Sequence, residues 1–128
     1  MKYLFALTFI MTAACQADES VTAFTDRTVK FVLQSIDGTK FGATATIDLS
    51  VAGKITGHGP CNLYLFNQSA PYPWFSVGSI VRTRKACPNL HKEKLFFETL
   101  RTMTLVEVLG GTLILSNAKG SEMLFQAP

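Results

Sequence analysis

Charge is scarce in this sequence, and the side chains that do chemistry are scarcer. Charged residues make up 16% of the chain and the formal balance is only +3. A balance so close to neutral does not suggest a nucleic-acid binder, and none is expected as a partner. There are two histidines, His58 and His91, and one tryptophan, Trp74. Both histidines stand close to cysteines, and no Ser/His/Asp arrangement for acyl transfer emerges. Glu93 and Glu98 are spaced so that they do not share a helix face, and they read as members of a solvated face. The absence of Cys-x-x-Cys removes a dithiol redox motif. No internal repeat or low-complexity tract is present. The expectation is a chain that is not an enzyme and has no cofactor or metal.

What is present begins with an address. Lys2 gives a positive start, Leu4 to Met11 form an apolar run, and Thr12-Ala13-Ala14 are small residues before Cys15. That is the charged, apolar and small-residue order of a secretory signal, expected over 1–14. The run is too short to span a bilayer core, which takes about 20 apolar residues. Thr12-Ala13-Ala14-Cys15 resembles a bacterial lipobox, although Thr12 stands where that motif usually has Leu. The resemblance implies cleavage before Cys15 and a lipid on its thiol. Ordinary cleavage after Ala17 is the competing reading. Cysteine parity favours lipidation: of the three cysteines, Cys61 and Cys87 are left to pair once Cys15 is used. Gln16 in the second mature position, rather than Asp, leans toward the outer membrane, with the domain facing the periplasm. Residues 15–26 are polar and aperiodic, and read as the lipidated N-terminus and a tether.

The domain is expected over 27–128. Hydrophobic residues make up 48% of the chain, enough for a globular core. Val29, Phe31 and Leu33 alternate with more polar neighbours, and Asp37-Gly38 closes that strand. Ala43, Ala45, Ile47, Leu49 and Val51 form the cleanest alternation, and Lys54-Ile55-Thr56 is the expected hairpin partner. Gly57-His58-Gly59-Pro60 predicts a turn or bulge rather than a strand interior. An apolar stretch runs to Phe66, 67–73 is a loop, and Trp74 to Thr83 reads as a strand. The spacing of Phe96, Phe97, Leu100 and Met103, with Leu90 before them, predicts a helix over 88–103. Leu105–Leu109, Thr112–Leu115 and Glu122–Phe125 form a meander across Gly110-Gly111 and 117–120. The fold class is therefore α+β, a twisted, partly closed antiparallel sheet with one helix.

Several segments resemble one family in order. They are Phe31–Gly38, Gly57-His-Gly-Pro-Cys-Asn62, Thr83-Arg-Lys-Ala-Cys87, the helix ending near Leu100, Thr112–Leu115 and Glu122–Phe125. Together they resemble the META domain, or HslJ-like, family of bacterial envelope proteins over about residues 27–127. Phe31 stands where that family often has Trp, and Pro60 where it often has Gly before the cysteine. The resemblance implies a cracked-barrel-like sheet with one helix and no catalytic group. The expected function is a non-enzymatic envelope module assisting assembly or stress tolerance by contacting another envelope protein.

Four candidate features follow. Cys61 and Cys87 are expected to form a disulfide in an oxidising compartment. His58-x-x-Cys61 and Cys87-x-x-x-His91 leave a Cys₂His₂ metal site as an alternative. Trp74, Tyr64, Tyr72 and Phe75 could line a groove for an apolar ligand or lipid, with core packing as the competing role. The one basic concentration, Arg82-Thr83-Arg84-Lys85 with Lys92 and Lys94, is either a solvated face or a contact for an acidic partner or anionic headgroups. Asn62 and Thr83 are expected to satisfy backbone groups in turns.

Overall fold

The computed structural model describes residues 17–128; the expected signal segment and the lipidation candidate Cys15 lie outside the described residues. The strands are β1 (Lys30–Ile36), β2 (Thr39–Lys40), β3 (Thr46–Asp48), β4 (Lys54–His58), β5 (Leu63–Asn67), β6 (Val81–Arg82), β7 (Leu105–Leu109), β8 (Thr112–Ser116) and β9 (Glu122–Gln126). One helix, α1 (Leu90–Arg101), lies between β6 and β7, and a 3₁₀ turn spans Val21–Ala23. All the pairings are antiparallel, in the order β6-β5-β4-β3-β1-β9-β8-β7, with β2 folded back on β1. This is the α+β sheet with one helix that the sequence predicts. Among the described residues no helix is long and apolar enough to cross a membrane.

Strand β1 lies at the centre and sets the register. Phe31 and Leu33 point inward at the strand period, but the next inward residue is Ile36. A bulge between Leu33 and Ser35 in the pairing with β9 absorbs the extra residue. Asp37 and Gly38 both take positive φ, 51° and 77°, so the Asp-Gly pair makes the tight turn into β2. The core is built from the inward rows of the strands and the apolar stripe of α1, with Ile47, Ile55, Phe96, Leu100, Leu113 and Phe125 all fully buried. Aromatic edges lock helix to sheet: Tyr64 meets Phe96 and Phe97 at 5.6 and 5.3 Å between ring centroids.

The sheet has two ends. At the helix end α1 covers the start of β5 and the end of β8; Asn62 bonds Glu93, and Asn117 bonds Thr102. At the opposite end lie the start of β1, the β3–β4 and β7–β8 turns and the first described residues.

Several expectations need correction. Residues 17–26 are not a free tether. Ser20, Val21 and Thr22 are buried; Gly53 N–H donates to Thr22 Oγ1 at 2.9 Å, and Tyr72 N–H to the Glu19 carbonyl at 2.8 Å. Val21 fills core space, which outweighs the polarity of its neighbours. The strand expected over 43–51 keeps its inward alternation of Ala45, Ile47 and Leu49 but pairs only over Thr46–Asp48. Gly57 and His58 lie within β4. A Cβ on Gly57 would sit on the Thr46 carbonyl oxygen and 2.8 Å from Tyr64 Oη, so this glycine marks close approach rather than a turn. Trp74 to Thr83 is mostly irregular. Only Val81–Arg82 pair as a strand, and Trp74 makes a single bridge to Leu105. Buried Gln68 supplies the reason: its side-chain amide bonds Ser76 N–H and C=O and so takes the place of a strand neighbour. Leu90, the first residue of α1, is 51% exposed rather than part of the buried stripe, which begins at Glu93.

Candidate functional site

The polar centre of the molecule is built where β5 begins. Glu93 sits in the first turn of α1 and is 1% exposed. Its Oε1 accepts the backbone N–H groups of Cys61 and Asn62 at 3.1 and 2.8 Å, and its Oε2 accepts Asn62 Nδ2 at 2.7 Å. The Arg82 guanidinium stands 4.0 Å from Oε2 and lies over the Phe97 ring at 5.0 Å. Gly59 makes room, since a Cβ there would approach Glu93 Oε1 to 2.8 Å. The solvated role expected for Glu93 is therefore corrected: it is a buried carboxylate held by three N–H donors. Such groups persist in an interior only when their acceptor sites are filled.

Asn62 carries the network outward. Its Oδ1 accepts Lys85 N–H at 2.6 Å and the Thr83 hydroxyl at 3.0 Å, while Nδ2 also donates to the Lys85 carbonyl at 3.1 Å. Thr83 Oγ1 in turn accepts Leu63 N–H at 3.2 Å. Asn62 and Thr83 thus satisfy backbone groups, as the sequence predicts. Cys61 and Cys87 are joined by a disulfide with 5.7 Å between Cα atoms. Both sulfurs of the Cys₂His₂ alternative are therefore engaged, and no cluster of three metal-ligating side chains occurs among the described residues. Asn62 and the disulfide together fix the course of Thr83 to Cys87.

Several clefts lie at the helix end, two of them beside this centre. One of about 280 Å³ is lined by Asn62, Arg82, Thr83, Arg84, Lys85, Ala86, Leu90 and Glu93. A second of about 360 Å³, lined by Arg82, Leu90, Lys94, Phe97, Glu98 and Arg101 among others, shares its Arg82 wall. A third, about 560 Å³, lies between the second half of α1 and the β8–β9 turn, lined by Leu95, Thr99, Thr102, Thr104, Ala118 and Lys119 among others. The basic cluster is split: Arg82, Arg84, Lys85 and Lys94 line two adjoining clefts, whereas Lys92 lies over the Phe41 ring at 5.7 Å and lines a separate one. The exposed Lys94–Glu98 pair at 3.9 Å contributes little to stability.

Beside the clefts lies an apolar strip. Leu65 and Val81 are cross-strand partners and therefore share a face, and Leu63 is two residues along the same strand. They are 39, 63 and 52% exposed, and β6 is the terminal strand of the sheet.

The expected aromatic groove is not assembled. Tyr64 and Phe75 are core rings, whereas Trp74 is 59% exposed and Tyr72 stacks on Phe24 at 5.1 Å. Tyr64 Oη donates to the Thr46 carbonyl at 2.7 Å, and burial beside Asp48 pushes its phenol well above the ordinary range. A phenol held neutral in this way packs and hydrogen-bonds; it does not supply a base.

Comparison with known proteins fits this arrangement. The META domain profile matches residues 23–128. The chain belongs to the META domain family. The match begins inside the 3₁₀ turn, before the expected domain start at Arg27, in keeping with the packing of that segment. A protein from Burkholderia xenovorans solved by NMR shares the fold, with a TM-score of 0.64 and 24% identity over 84% of this chain and 86% of that one. A second NMR structure has a TM-score of 0.60 and 21% identity over 78% of this chain and 89% of the other. Comparison with curated proteins gives no match. The META domain here combines a buried, hydrogen-bonded polar centre with an exposed basic and apolar border.

Proposed function

We propose that this META domain is a non-catalytic interaction module. In this reading it is displayed on the bacterial envelope by lipid on Cys15, at the outer membrane facing the periplasm. It contributes to assembly or stress tolerance by holding another envelope protein. The observation that carries this reading is the border at β5–β6: exposed Leu63, Leu65 and Val81 beside a conformationally fixed Arg82–Lys85 segment. Apolar side chains next to a row of cations, on a terminal strand, suit an extended partner segment with alternating apolar and acidic residues. The buried carboxylate nearby is engaged by two backbone N–H groups and the Asn62 amide and is 1% exposed, which suits a structural role.

The test compares wild-type chain, Leu65→Asp with Val81→Asp, and Lys119→Ala, each lipidated and purified from membranes after in-cell crosslinking. The expected result is a defined crosslinked protein lost from the double variant and kept in Lys119→Ala. Equal recovery from both variants overturns the assignment of this border. Release of Cys15→Ser protein into the soluble fraction is expected as well; retention of that variant in the membrane overturns the lipid anchor.

A second reading, carriage of a small apolar ligand, draws support from the cleft of about 560 Å³, a size ordinary for ligand sites. It is lined by Leu95, Ala118, three threonines, Glu98, Asn117, Lys119 and Ser121 rather than by the aromatic set expected from the sequence. Native mass spectrometry of the wild-type chain and Ala118→Trp tests it. A bound adduct present in the first and absent from the second supports carriage; bare protein in both removes it.

A further inference from the structure

The border just described lies toward the helix end. The chain enters at the other end, and that end has its own unpartnered apolar groups. Phe24 and Leu109 are 59 and 62% exposed, and Val51 is 46% exposed. They are gathered by specific contacts. Phe24 stacks on Tyr72, whose hydroxyl accepts Val108 N–H at 3.2 Å, next to Leu109. Gly53 N–H donates to Thr22 Oγ1, which brings the β3–β4 turn with Val51 beside the entering chain. Isolated exposed apolar residues are ordinary, but three on one end of a small domain, supported by a half-buried tyrosine, form a surface.

The chain outside the structure specifies what covers it. Because Ser20 to Thr22 are buried and bonded in place, only residues 16–19 separate Cys15 from the fixed body. The five extended steps from Cys15 to Ser20 reach about 18 Å at most. A lipid on Cys15 would therefore hold this end against the bilayer rather than let the domain roam. Charges at this end are mixed: Arg27, Lys30 and Lys54 stand with Asp18, Glu19, Asp26 and Asp48. The attraction available is apolar insertion at the lipid interface, where an aromatic ring and branched aliphatic groups are favoured.

The geometry points to a membrane seat: Phe24, Val51 and Leu109 rest in the interface of the bilayer that carries the anchor, so that α1 and the Arg82–Lys85 border face away from it. This inference rests on lipidation at Cys15. It also assigns the basic border to a partner beyond the membrane surface, rather than to the headgroups beneath the domain.

The experiment uses the full lipidated chain in phosphatidylethanolamine–phosphatidylglycerol vesicles containing brominated acyl chains. Single-tryptophan proteins are made in a Trp74→Phe background: Phe24→Trp, Leu109→Trp and, at the helix end, Leu90→Trp. Quenching several-fold stronger for the indoles at 24 and 109 than for the one at 90, and unchanged by high salt, is expected. Wild-type amide exchange supplies an arm without substitution: Gly110 and Gly111 should exchange more slowly on vesicles than in detergent. A chain shown by mass to carry lipid on Cys15, with equal quenching at all three positions and unaltered exchange at the turn, overturns the seat and leaves the anchor standing. A chain with no lipid on Cys15 overturns both.

Discussion

Glu93 and Asn62 are bonded twice, through the Asn62 backbone N–H at 2.8 Å and its side-chain amide at 2.7 Å. The pair joins the first turn of the only helix among the described residues to the first residues of β5. It does so beside the disulfide, so one polar contact and one covalent bond fix the same corner of the fold. Glu93→Ala leaves two backbone donors and an amide without their acceptor in a buried site. Removing one partner of such a network costs about 3–5 kcal/mol. Glu93→Gln keeps one carbonyl oxygen but turns a donor toward Asn62 Nδ2, at a cost of about 2 kcal/mol. Urea unfolding of the three proteins measures both. Equal midpoints would show that the carboxylate is dispensable.

Two glycines should respond oppositely to alanine. Gly57→Ala forces a Cβ into the Thr46 carbonyl and the Tyr64 hydroxyl within the β3–β4–β5 pairing. An overpacked site of this kind costs about 1–3 kcal/mol, and backbone is what must move, so the upper end applies. Gly78→Ala meets nothing within 4 Å and has no positive φ. Its alanine should be neutral or stabilising by up to about 1 kcal/mol, through a less flexible unfolded chain. Thermal midpoints that move together would contradict the close approach at Gly57.

These two positions show how far sequence reasoning reaches. Alternation of Phe31 with Leu33, and of Ala45 with Ile47 and Leu49, was enough to place strands, because one face of each is buried. Strand ends were not readable, since pairing depends on distant partners such as Gln68 replacing a neighbour for Ser76. Gly57 reads as a breaker until Tyr64 is known to lie across from it. Glu93 was closer to legible. It stands three and four residues before Phe96 and Phe97 and seven before Leu100, on the same helix stripe. A charged residue on that stripe, with Asn62 already expected to bond in a turn, was the available signal. The Leu65–Val81 strip had none, because neighbours across β5 and β6 are set by register alone.

The Cys61–Cys87 bond closes a separation of 26 residues and should contribute about 3.5 kcal/mol by chain entropy. The expected result for Cys61→Ser with Cys87→Ser is a clearly lower thermal midpoint. Faster proteolysis within Thr83 to Cys87 should accompany it, since only the hydrogen bonds of Asn62 and Leu63 then hold the start of that segment. Wild-type protein in reductant should match the double variant. If neither treatment lowers the midpoint, the bond does not stabilise the corner.

Asp18 makes the packing of the entering chain dependent on pH. Its carboxylate accepts the Ser20 hydroxyl at 2.6 Å, the Thr22 hydroxyl and the Ser20 N–H at 3.0 Å. The hydroxyl bonds from Ser20 and Thr22 hold this carboxyl below its ordinary range. A depressed folded value means the stabilisation is present at neutral pH and lost as pH falls through that value. Acidification from about pH 5 to about pH 2 should therefore loosen residues 17–24. The reporters are the amides of Gly53 and Tyr72, which donate to Thr22 and Glu19. Corrected for intrinsic rates, their protection should fall over that range while the β8–β9 amides hold. Asp18→Asn should reduce protection at neutral pH and flatten the dependence. Asp26, whose carboxyl is lowered by Thr28, is fully exposed, so its protonation serves as the local control. Unchanged protection of Gly53 and Tyr72 across the range would separate the Asp18 bonds from the fixing of Ser20 to Thr22. The short reach from Cys15 to the body would then rest on the burial of Val21 and on the Gly53–Thr22 and Tyr72–Glu19 bonds, without Asp18.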